Sequence, residues 1–244
     1  MTVFLVAVAA SIAGLLVWWA RRRGDDRQRA LMLLCRHAGL DFAPLDILGD
    51  TMWLPFPMFG RERSGTENVV WDRARGTDIR VFDFWYQEPK DEGGYGPRRR
   101  LTCAVVPLPT ACPRLRVAPR DTGDDVREAL ELQHEVSLEL GEFNRRFAVE
   151  SDDQRFAFAF LEQRMMEGLL ALPETVGADV NEDVLLLSGP RLPAEKVLRL
   201  YDAAIAIAER IPRSLASQYP PRPARGPHEE RWFQGHWSAA PTEG

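Results

Sequence analysis

Lysine is nearly absent. Lys90 and Lys196 stand alone among 31 basic residues, so positive charge is carried almost wholly by arginine. A guanidinium is planar, permanently charged and suited to bidentate anion contacts, although GC-rich coding produces the same bias. Cysteine is also scarce: Cys35, Cys103 and Cys112 form an odd set with no C-x-x-C spacing. That excludes a disulfide framework and a four-ligand structural zinc, and it fits a reducing compartment. The four histidines, at 37, 134, 228 and 236, lack any metal-ligand spacing such as H-E-x-x-H. The glycines at 93, 94 and 96 are not followed by Lys-Ser/Thr, so they do not form a phosphate-binding loop, and no G-x-S-x-G elbow occurs. Accordingly no metal, cofactor or catalytic residue is assigned, and enzyme activity is not the first expectation. A net charge of −5 argues against a nucleic-acid partner.

Charge is missing altogether from Val3 to Ala20, which read VFLVAVAASIAGLLVWWA. A membrane core needs roughly 20 apolar residues in a helix, so this run is expected to span a bilayer. Trp18 and Trp19 suit the interface, and Arg21, Arg22 and Arg23 form a basic flank. A cleaved signal peptide would carry its basic residues before the run and small residues after it. The flank predicts a single-pass bacterial plasma-membrane topology, N-terminus outside and domain cytoplasmic. Ala9-x-x-x-Ala13 and Ala10-x-x-x-Gly14 would permit a weak homodimer through the span.

The remainder divides into a domain over 24–211 and a tail over 212–244. The fold class expected is α+β: a transmembrane helix, then antiparallel β-hairpins packed with helices. Helical spacing marks Arg27–Ala38. Asp41–Gly65, with Pro44, Pro55 and Pro57 among many apolar residues, reads as a loop packed on the domain. Val69–Trp71 and Ile79–Tyr86 flank a turn at 73–78, and the aromatic set Phe82, Phe84 and Tyr86 faces a core. Arg99–Pro107 and Arg114–Ala118 read as two strands separated by a turn at Pro109 and Pro113. Leu115 and Val117 point one way, Arg114 and Arg116 the other. A short helix is expected at Val126–Leu132 and a strand at His134–Leu140. A helix capped by Asp152 or Asp153 carries Phe156, Phe160, Leu161, Met165, Leu169 and Leu172 on its core face. Val184–Leu187 is a buried strand, and Pro193 opens a last helix reaching about Ile211. Six prolines and no periodicity mark the tail as disordered.

The best polar candidate is Arg145-Arg146 between Phe143 and Phe147. Two arginines beside aromatics suit a phosphate, an anionic headgroup or a partner contact; the same residues also describe a surface turn clasped by two core phenylalanines. FDFWY, LTCAVVPLP with CPRLRVAPR, GEFNRRFAV and DDQRFAFAFLEQRMMEGLL together resemble a family of uncharacterised actinobacterial single-span membrane proteins, over about residues 30–212. The resemblance implies a bacterial plasma-membrane setting and supplies no activity. The function expected is a membrane-anchored module that contacts the bilayer through residues 3–20 and binds a protein partner or lipid headgroups. The alternative, a membrane-tethered enzyme with a site assembled from distant residues, would show converging ionisable groups with displaced pKa values in a deep pocket.

Overall fold

Residues 80–86 read RVFDFWY, and their alternation sends successive side chains to opposite faces of a sheet. Phe82 and Phe84 pack on one face and Val81 on the other. The computed structural model describes residues 26–46, 49–72, 78–90, 93–120 and 138–222. The chain runs α1 (26–38), β1 (Asp41–Leu45), a 3-10 turn (Asp50–Trp53), β2 (Ser64–Trp71), β3 (Arg80–Tyr86) and β4 (Arg99–Pro119). It continues through α2 (Gly141–Arg146), β5 (Phe147–Ser151), α3 (Gln154–Phe160), α4 (Gln163–Leu170), β6 (Gly177–Pro190), α5 (Ala194–Ala208) and α6 (Leu215–Gln218).

The six strands form one antiparallel sheet. One face is covered by helices. Leu31 and Cys35 of α1, Phe156 and Phe160 of α3, Met165 and Leu169 of α4, and Leu200 and Tyr201 of α5 bury against Val81, Ala104, Val117 and Leu187. Each buried valine, leucine, phenylalanine or methionine among them contributes about 1.5–3 kcal/mol of transfer free energy. The opposite face is covered by the segment after β1, whose Leu54 and Phe59 pack on Val69, Phe82, Phe84, Cys103 and Leu186. The packed, proline-rich loop expected there is present, but it is preceded by a strand, β1, an edge position that tolerates Pro44.

β4 departs most from expectation. It is one strand of 21 residues, not two joined by a turn. β6 pairs along one edge of it. The other edge is taken by β3 over residues 99–105 and by β5 over 115–119. Pro109 and Pro113 fall in the interval between β3 and β5, where no ladder asks for their missing N–H, and the register with β6 shifts on both sides of Cys112. A late segment crosses this interval: Ala111 N–H donates to Pro220 O (3.0 Å), and Arg222 N–H donates to Pro109 O (3.2 Å). Residues 212–222 therefore belong to the domain, while the rest of the proline-rich tail, 223–244, lies outside the described residues.

Asp83 ties the elements together. It faces the helix-covered side, 4% exposed, and accepts five hydrogen bonds. Arg27 of α1 reaches it in a fork, Nε to Oδ2 at 2.7 Å and Nη2 to Oδ1 at 2.8 Å. Asn68 Nδ2 donates at 2.9 Å, Thr102 Oγ1 at 3.0 Å and Arg191 Nε at 3.4 Å. A bulge in β2 aims Asn68, which adopts φ 57°, at this carboxylate.

Other boundaries hold or shift for local reasons. Asp153 caps α3, accepting from the N–H of Arg155 (2.8 Å) and Phe156 (3.2 Å). The single helix expected beyond it divides at Leu161–Glu162 into α3 and α4, and the whole apolar set stays buried. α5 begins after Pro193 as expected. The turn over 73–77, the helix at 126–132 and the strand over 134–137 lie outside the described residues; 138–140 are not strand.

The membrane assignment requires correction. The helix expected over 3–20, with Trp18, Trp19, Arg21, Arg22 and Arg23 at its end, lies outside the described residues. Among the described residues no helix is long and apolar enough to cross a membrane. α5 has 15 residues against the roughly 20 a span requires, and it spends its apolar face on the sheet. The fold class is thus α+β on an antiparallel sheet without a spanning helix among the described residues. The single-pass, plasma-membrane topology, the cytoplasmic placement and the homodimer through such a helix lose their support with it.

Replacing Asp83 with alanine leaves the guanidinium groups of Arg27 and Arg191 without their carboxylate. Asp83→Ala is expected to cost about 3–5 kcal/mol in urea unfolding.

Candidate functional site

Arg145 and Arg146 are adjacent in sequence but differ in role. Both line a depression of 480 Å³ beside Glu142 and Glu174. Arg146 is turned inward: Nη1 donates to Leu170 O (2.5 Å) and Nη2 to Leu172 O (2.6 Å), satisfying carbonyls at the end of α4. Arg145 is exposed. The flanking Phe143 and Phe147 are buried with ring centroids 4.9 Å apart, so the clasped turn is present.

A different group of arginines shares a larger space. A groove of 610 Å³ lies between the segment around Phe56–Arg61 and the sheet. Arg61, Arg99, Arg114 and Arg116 line it against Glu88 and Asp179, with Phe56, Met58 and Tyr86 as its apolar wall. The alternation in RLRVA places Arg114 and Arg116 here, because Leu115 and Val117 are buried under the helices. β6 supplies Asp179 and Asn181 to the same side. The bulge at Glu182, φ 51°, then reverses the alternation, so that Val184 and Leu186 go under the covering segment instead. Asn181 Nδ2 donates to Pro55 O and pins that segment over the sheet.

The two ends of the groove differ electrostatically. At one end Arg61 pairs with Glu88 (3.0 Å) and lies over the Tyr86 ring at 4.3 Å, while Arg99 approaches the same carboxylate at 3.8 Å. At the other end Arg116 Nε lies 3.8 Å from Asp179 Oδ1. Asp179 keeps a third of its side chain exposed at the groove, and protein covers the rest. That enclosure pushes its carboxyl up to about 6; Arg116 and Arg114 pull it down, and Glu150 adds to the rise.

Nucleophilic and metal chemistry find little here. All three cysteines are free and buried, and burial raises each thiol, Cys35 to about 11. Cys103 and Cys112 belong to clusters on opposite faces of the sheet. Among the described residues no three His, Cys, Asp or Glu side chains are grouped to hold a metal ion. His37 is exposed on α1, and the other three histidines lie outside the described residues.

Sequence reasoning put Arg114 and Arg116 on the face opposite Leu115 and Val117 without assigning them to a site, and it missed Asp179, Arg61 and Arg99. The alternation of RLRVA was the available signal. The register bringing Asp179 beside Arg116 depends on the bulges and is not written locally. Asp179 gives a prediction whose sign follows from its raised carboxyl. The stability its protonated form contributes is fully present below the ordinary 3.8 and lost as pH rises to about 6. Asp179→Asn does not titrate, so its thermal midpoint relative to the wild type is expected to climb between pH 4 and pH 6.5 and then level off.

Residues 113–184 match a family described as a protein of unknown function (DUF3137), under a third of the chain. The matched stretch contains Arg114, Arg116 and Asp179 as well as Arg145 and Arg146. No curated protein matches the chain. Its fold is similar to that in the crystal structure of the mycobacterial trehalose monomycolate transport factor A, TtfA, with a TM-score of 0.51 and 16% sequence identity over 81% of this chain and 98% of that one. At that identity the likeness is one of fold.

Proposed function

We propose that the protein is a non-catalytic lipid-handling module whose groove holds the anionic headgroup of an amphiphile. The observation that carries this reading is the sharing of one open groove by four guanidinium groups and an apolar wall of Phe56, Met58 and Tyr86. Guanidinium forks suit phosphate oxygens, and the apolar wall suits the first carbons of a lipid's chains. Among the described residues the lining carries four positive and two negative side chains, so it attracts anions although the whole chain is acidic. The fold shared with a protein named as a trehalose monomycolate transport factor supports the lipid-handling part of this reading, while the charge of the headgroup rests on the groove alone.

A second reading, an enzyme, draws on Asp179, a carboxyl raised toward neutrality in a polar groove. Among the described residues the groove lining brings it no serine, threonine, cysteine or histidine, which favours binding over catalysis.

Dihexanoyl phosphatidylglycerol, kept below its micelle concentration at pH 5.5, is expected to bind the full chain in titration calorimetry more tightly than dihexanoyl phosphatidylcholine. Joint replacement Arg114→Ala and Arg116→Ala is expected to weaken it by about tenfold or more, since each charge-assisted hydrogen bond contributes about 1.5–3 kcal/mol. Equal affinity for the two lipids would sink the reading.

A further inference from the structure

Arg116 is contested from both sides. Its position on β4 is in register with Glu150 on β5 and with Asp179 on β6. Residues directly opposite in an antiparallel sheet project from the same face, so one guanidinium sits in a row between two carboxyl groups. Glu150 Oε1 is buried and finds no hydrogen-bond partner among the described residues. Arg114, two positions along on the same face, makes no ion pair with a described residue and lines the groove with Arg116. Two guanidinium groups and one carboxyl, Asp179, thus line this end of the groove, and a second carboxyl, Glu150, stands beside Arg116 on β5 outside that lining.

An anion seated between Arg114 and Arg116 brings a third negative charge to two positive ones. One proton restores the balance. Asp179 is the group placed to carry it: it faces the groove directly, its contact with Arg116 is a long 3.8 Å, and Glu150 stands across the same guanidinium. The other charged groups lining the groove, Arg61 and Arg99 with Glu88 between them, are already paired at the far end. We propose that the groove takes up its anionic ligand together with one proton held by Asp179, so that it loads on the acid side and releases on the neutral side. This rests on the headgroup-binding reading above and names its regulation. The position of the carboxyl near pH 6 places the changeover in the physiological range.

Linkage fixes the size of the effect. If the ligand binds when Asp179 is protonated, affinity falls about tenfold per pH unit above 6, and ligand binding raises the proton affinity of Asp179 by the same coupling. The test is titration calorimetry of the full chain with dihexanoyl phosphatidylglycerol, whose single phosphodiester charge is constant from pH 5 to 8, in buffers of different protonation enthalpy. The expected result is uptake of about one proton per ligand at pH 7.5 and almost none at pH 5, with a dissociation constant about 25-fold weaker at pH 7.5 than at pH 5.5. Asp179→Asn is expected to bind at pH 7.5 about as tightly as the wild type does at pH 5.5, with no proton uptake.

Wild-type binding that is equally tight at both pH values and releases or absorbs no proton would overturn the proposal while leaving headgroup binding intact. Failure of both wild type and Asp179→Asn to bind phosphatidylglycerol at any pH would overturn the headgroup reading and this proposal together. Equal affinity for chainless glycerophosphoglycerol, with proton uptake preserved, would uphold the coupling and assign the site to a free phosphodiester instead of a lipid.

Discussion

The fold depends on one buried carboxylate. Asp83 sits on the third strand, yet its five donors come from the first helix, the second and fourth strands and the connection after the sixth. Removing a charge from water is costly, and the cost is offset only when every lone pair finds a donor. Thr102 meets this demand twice over: its hydroxyl donates to Asp83 and accepts from the N–H of Leu192 at 2.9 Å. The positions of α1, β2, β4 and the entry to α5 are therefore not independent, because each must deliver its donor to the same point.

That constraint lies on the helix-covered side and leaves the other side of the sheet to be specialised. Over β3 and the first half of β4 that side is apolar and closed by Leu54 and Phe59. Toward the far end of β4 it becomes polar and open. The change is made by register and not by composition: the bulge at Glu182 carries β6 from Asp179 and Asn181 facing the groove to Val184 and Leu186 facing the closed part. Two unlike surfaces, a core and a charged groove, are built from the same strands because one extra residue in a ladder reverses which side chains face which way.

What the sequence disclosed follows from how local each signal is. The aromatic alternation of β3, the Asp153 cap, the proline before α5 and the outward pair Arg114 and Arg116 all depend on neighbours within a few positions, and each was legible. β1 was not, because Pro44 argues against a strand unless an edge position is known in advance. The continuity of β4 was hidden by the same logic, since its prolines are tolerated by a gap between β3 and β5 that only the assembled sheet defines. Of the groove only the facing of Arg114 and Arg116 was legible: Asp179 is 63 positions from Arg116, and its approach is set by pairing. The apolar run over 3–20 gave the loudest sequence signal, and no described helix corresponds to it.

The segment 220–222 that crosses β4 has a consequence in time. During synthesis the middle of β4 leaves the ribosome about a hundred residues before Pro220, so its edge between β3 and β5 stands open while the rest of the sheet assembles. Exposed strand edges invite pairing with other nascent chains. Pro109 and Pro113 withhold N–H groups along that edge and leave Ala111 between them to donate, which makes the edge a poor template. The prolines that disguise β4 as a turn thus act as a safeguard until Arg222 arrives, closes the edge and sets its guanidinium 2.8 Å from the buried carboxyl of Asp183.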